Sequence, residues 1–77
     1  MKLKEAFKRL KKVVYGTYRF HINDGCEETI TGPAREIRRI CAGRTTFADG
    51  IRYTELEVKK IYKDEDGIIN FEMVYSY

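Results

Sequence analysis

Apolar residues recur every third or fourth position from Leu3 to Val14, then every second position from Tyr18 to Ile22. No single element satisfies both spacings. The first puts Leu3, Ala6, Phe7, Leu10 and Val14 on one stripe of an α-helix. The second puts Tyr18, Phe20 and Ile22 on one side of a strand, with Tyr15, Thr17, Arg19 and His21 on the other. A helix with one apolar stripe must lay it on a second element, and a half-apolar strand offers that surface. The chain is therefore expected to be α+β.

The rest of the sequence extends this expectation. Asn23-Asp24-Gly25 is a turn signal, and Cys26, Glu28 and Ile30 fall on one side of a returning strand. The stretch TGPAREIRRICAG, residues 31 to 43, predicts a short central helix over 33–42. Pro33 suits its first position and Gly43 a left-handed residue after its end. Ala34, Ile37, Ile40 and Cys41 share one arc of that helix, and Arg35, Arg38 and Arg39 the opposite one. RTTFA, 44 to 48, reads as a short strand and 51 to 62 as a long one. After the acidic turn KDEDG, a final strand places Ile69, Phe71, Met73, Tyr75 and Tyr77 on one side. The expected architecture is an N-terminal amphipathic helix, an antiparallel sheet of about four to five strands and the central helix, with both helices on one face.

Size limits what this fold can hold. The 77 residues form one expected domain spanning 1–77, and 43% hydrophobic with 35% charged residues suits a folded chain. Domains this small have a stability of about 3 to 5 kcal/mol, which makes self-association one expected route to a fuller core. No apolar run approaches the ~18 residues of a membrane span, and no apolar leader segment follows the basic start, so a cytoplasmic setting is expected. Cys26 and Cys41 are too few for a disulfide framework and are expected as buried thiols. Their spacing lacks the paired short intervals of a structural zinc site, so no metal or cofactor is expected.

Catalytic patterns are absent. The chain has one His, no Trp, a single serine at Ser76, and no nucleophile-elbow, zincin or phosphate-loop motif. His21 lacks a visible second partner, so an enzyme is not expected.

Charge carries the functional expectation. Residues 1–43 are net basic and residues 44–77 net acidic, so the overall +3 conceals a dipolar molecule. Thr31, Arg35, Arg38, Arg39 and Arg44 form the first candidate site for an anion or an acidic partner, because Arg binds carboxylate and phosphate through two parallel hydrogen bonds. Solvent cover, with Glu36 pairing to Arg39, is the structural alternative. Lys8, Lys11 and Lys12 form a secondary basic surface, and Tyr15, Tyr53 and Tyr75 are candidate contact aromatics. The expected function is a non-catalytic binding module, a small inhibitor or adaptor acting on an acidic protein surface, in the style of phage accessory proteins. The alternative is a nucleic-acid or nucleotide binder that uses the same arginines.

Overall fold

The computed structural model describes residues 1–9, 15–23, 25–46 and 49–75. Its elements are α1 (Leu3–Arg9), β1 (Tyr15–Ile22), β2 (Glu27–Pro33), α2 (Ala34–Gly43), a 3-10 turn (Tyr53–Glu55), β3 (Glu57–Lys63) and β4 (Ile69–Val74). The four strands form one sheet in the order β2-β1-β4-β3. Leu10, Lys11, Lys12, Val14 and Tyr77 lie outside the described residues.

The sheet is mixed. β1 with β2 and β3 with β4 are antiparallel hairpins, as expected, but β1 and β4 join in parallel at the centre. The reason is the segment between the hairpins. Residues 34–56 carry α2 and the 3-10 turn, and an interposed helix brings the chain back across the sheet before it re-enters. β2 and β3 therefore run in the same direction at opposite edges. Each has an antiparallel neighbour inside it, so the two inner strands also share a direction.

Both helices cover one face. Tyr18, Phe20 and Ile22 of β1 and Phe71 and Met73 of β4 point into the core, where they meet Leu3, Ala6 and Phe7 of α1 and Ile37 and Cys41 of α2. Phe20 is its centre. Its ring stacks on Phe71 with centroids 5.2 Å apart, and meets Phe7 at 6.4 Å and Tyr53 at 6.3 Å. The other sheet face has no helix over it among the described residues.

Local departures from the expected elements have physical causes. The strand expected over 51–62 is broken, because Tyr53 and Leu56 are both buried and strict alternation would place them on opposite faces. One turn of 3-10 helix, with a three-residue repeat, turns both inward. A bulge between Val58 and Lys60 then resets the phase, so that Val58 opposes Met73 and Ile61 opposes Phe71 on the core side. Of the strand expected at 44–48, residues 47 and 48 lie outside the described residues, and the described part forms a bridge between Thr45 and Arg52, with buried Thr46 accepting the Ile51 N–H through its hydroxyl at 3.0 Å. Pro33 is the cap of α2 rather than its first residue. Gly43 is helical and not left-handed, and Arg44 ends the helix in an extended conformation. The β3–β4 turn does use a left-handed glycine, Gly67 at φ 78°. There Asp64 Oδ1 accepts from the N–H groups of Asp66 and Ile68.

Candidate arginine face of the second helix

The site is built on α2, which lies antiparallel over β2. Its start is fixed by Ile37, whose Cδ1 would lie 3.9 Å from a methyl placed on Gly32, and its end by an ion pair from Arg44 to Glu28 at 2.8 Å. With Ile37 and Cys41 buried against the sheet, the 100° step per residue turns Arg35 and Arg39 away from it and Arg38 onto a flank. All three are exposed. No carboxylate among the described residues pairs with any of them. Glu36 does not close the i, i+3 pair with Arg39 that its spacing allows. Instead Arg35, Glu36 and Arg39 border an open recess of about 340 Å³.

The structure divides the residues grouped by sequence. Thr31 belongs to the opposite face, where its hydroxyl lies 2.9 Å from that of Thr17. Arg44 is engaged by Glu28 at the far end of the helix. Tyr53 and Tyr75 are core residues, 6% and 8% exposed, so neither offers a contact surface. Sequence alternation assigned them to strand faces without showing that both turn inward. Tyr15 is 67% exposed, but its register opposite Pro33 places it with Thr17 on the uncovered face. Lys8 is exposed on α1, while Lys11 and Lys12 lie outside the described residues. α1 and α2 both pack on the 3-10 turn and lie toward opposite edges of the sheet, so this turn stands between their basic faces.

The other charged clusters are internally matched. Glu55 accepts from Lys2 at 2.8 Å and Lys4 at 3.1 Å, and these hydrogen bonds hold its carboxyl below the usual range. Glu57 pairs with the N-terminal ammonium at 3.0 Å. These same carboxylates border the larger recess near Met1, which therefore has little unmatched charge.

On the uncovered sheet face a ring of five side chains was not legible in advance. Glu27 faces His21 and Arg19, each at 3.4 Å. His21 Nε2 lies 2.9 Å from Asn70 Oδ1, Asn70 donates to Asp64 at 2.9 Å, and Asp64 returns to Arg19 at 3.9 Å. The Asn70 amide also donates to the Ile68 carbonyl, which leaves its oxygen as the acceptor and assigns the proton to His21 Nε2. The hydrogen bond from Asn70 is the main cause that lowers the Asp64 carboxyl. A polar residue between Ile69 and Phe71 was the available signal, since a buried amide must find partners. Both nitrogens of His21 are thus engaged by an amide and a carboxylate rather than by a thiol or hydroxyl.

Cys26 is exposed, against the expectation that both thiols are buried, because it sits in the β1–β2 turn at the end of the ladder. Cys41 is buried as expected, and burial first, with Glu28 adding, pushes its thiol up to about 12. Among the described residues no cluster of His, Cys, Asp and Glu has metal-site geometry, and no helix is long and apolar enough to cross a membrane. Comparison with protein-family models, curated proteins and solved structures finds no match to this chain.

Proposed function

We propose that the chain is a non-catalytic binding module whose α2 face docks on an acidic surface of another protein, as a small inhibitor or adaptor does. The observation that carries this reading is the triplet Arg35, Arg38 and Arg39, exposed on a helix anchored at both ends and without counter-ions among the described residues. Arginine brought to an interface makes bidentate bonds that a hydrated lysine does not. The nucleic-acid alternative uses the same residues but finds less support. Burial of Tyr53 and Tyr75 removes two of its stacking aromatics, and the uncovered sheet face carries Glu27 and Glu72.

The test is a salt titration of binding to a poly-glutamate peptide and to single-stranded RNA, beside the double variant Arg35→Glu, Arg38→Glu. The reading predicts saturable peptide binding that weakens with salt and is lost in the variant, with RNA bound no better. RNA binding tighter than peptide and lost in the variant would transfer the function to the alternative. Unchanged binding in the variant would remove the arginine face from either.

A further inference from the structure

The two edges of the sheet are built differently. The outer edge of β3 is obstructed. The Val58 N–H donates to the Met1 carbonyl at 2.7 Å, Lys2 bridges to Glu57, a bulge interrupts the register, and Lys59, Lys60 and Lys63 line the strand. These are devices that keep an edge from pairing with another strand. Among the described residues β2 has no bulge, no lysine and no segment bonded outside it, and its charged residues Glu27 and Glu28 and its Pro33 lie at its two ends. Its register against β1 is regular from Glu27 to Pro33. The Ile22 N–H donates to the Cys26 carbonyl at 2.9 Å, which fixes the phase of the ladder. Glu28, Ile30 and Gly32 therefore bond to β1, and the backbone groups of Glu27, Thr29 and Thr31 point outward.

The helix above this edge is also open on its outer flank. Cys41, fully buried, marks the flank of α2 that faces Tyr53 and the 3-10 turn. The opposite flank carries Glu36, Ile40 and Gly43. Ile40 is half-buried, as is Ile30 on the strand below, so an apolar seam runs along the edge. A side chain at Gly43 would meet nothing within 4 Å, which leaves room for a close neighbour. Charge on this flank is self-complementary under a two-fold axis. Glu36 lies one turn before Ile40 and Arg44 one turn after it, and Arg44, which gives one nitrogen to Glu28 of its own chain at 2.8 Å, keeps further N–H donors, so an antiparallel copy of α2 centred on Ile40 sets each Glu36 beside the copy's Arg44.

We propose that β2 is a dimerisation edge. Two copies pair β2 antiparallel about a two-fold axis near Ile30, continue the sheet, and lay their α2 helices side by side with opposed dipoles. A second copy is the occupant because one operation satisfies the strand edge and the isoleucine seam and brings a cation to Glu36. A domain of this size has a thin core and also gains buried apolar surface by pairing. The arginine faces of both copies then lie on the outside of one helix pair.

Sedimentation equilibrium across the micromolar to millimolar range tests this on the full chain, with Thr29→Pro and Ile40→Glu beside it. The Thr29 N–H points outward, so proline there removes a donor that the monomer does not use. The natural chain is expected to reach twice its 9.1 kDa mass, and each variant to stay at 9.1 kDa with an unchanged circular dichroism spectrum. A natural chain that stays monomeric throughout overturns the proposal. So does a dimer that persists in the folded variants.

Discussion

Replacing Phe20 tests whether the core is held by ring geometry as well as by buried area. The side chain is fully buried and touches three rings, those of Phe71, Phe7 and Tyr53. Phe20→Ala removes the whole ring and should cost about 3 to 5 kcal/mol. A domain of this size has about that much stability in total, so this variant should be largely unfolded. Phe20→Leu is more informative. It keeps most of the apolar volume, and such exchanges by themselves cost less than about 1.5 kcal/mol. The stack on Phe71, at an interplanar angle of 14°, and the edge contact with Phe7, at 63°, are favoured ring geometries. Each is worth about 0.5 to 1.5 kcal/mol beyond area. Their partial replacement by leucine contacts sets the expected cost of Phe20→Leu at about 1 to 2 kcal/mol. Urea denaturation followed by circular dichroism reads this as a midpoint lowered by about 1 to 2 M, given a slope near 1 kcal/mol/M for a small chain. Phe71→Leu and the double variant complete a cycle. A Phe20→Leu cost below about 0.3 kcal/mol, or costs that simply add in the double variant, would refute the assignment of stability to the rings.

Two further outcomes follow from titrating groups. Asp64 has a depressed carboxyl, so the stability it supplies is present above its ordinary value of 3.8 and is lost as pH falls through and below it. Asp64→Asn should flatten the dependence of the urea midpoint on pH between about 5 and 2, and an unchanged slope would show that the Asn70 contact does not hold the charge. The Cys41 thiol is raised, so the unfolded chain ionises first, and the associated stability declines as pH climbs from 9.0 towards about 12. Iodoacetamide at neutral pH should label exposed Cys26 quickly and Cys41 only at the rate of unfolding, which mass spectrometry distinguishes. Equal labelling rates would contradict the burial of Cys41.

Much of the fold was legible because the hydrophobic spacing is strong where an element has one wet side. Tyr18, Phe20 and Ile22, and Phe71 and Met73, declared their faces, and Ile37 and Cys41 declared the inner arc of α2. The 51–62 segment did not, because a 3-10 turn and a bulge each shift the phase of alternation, and neither leaves a signature in residue type. The parallel centre was also hidden, since strand direction follows from where the connecting helix delivers the chain. In the candidate site the arginine arc was visible in the sequence. That Glu28 engages Arg44, or that Thr31 turns to Thr17, depends on which strand lies beneath the helix.

The parallel centre has a mechanical consequence. β1 starts, and β4 finishes, at opposite ends of the same ladder. Tension applied between Tyr15 and Val74 therefore pulls the two strands past each other along their length. Every hydrogen bond between them is loaded at once, whereas an antiparallel hairpin pulled from its open end parts one bond at a time. The crossover that places these two strands side by side thus makes the middle of this small sheet a shear clamp.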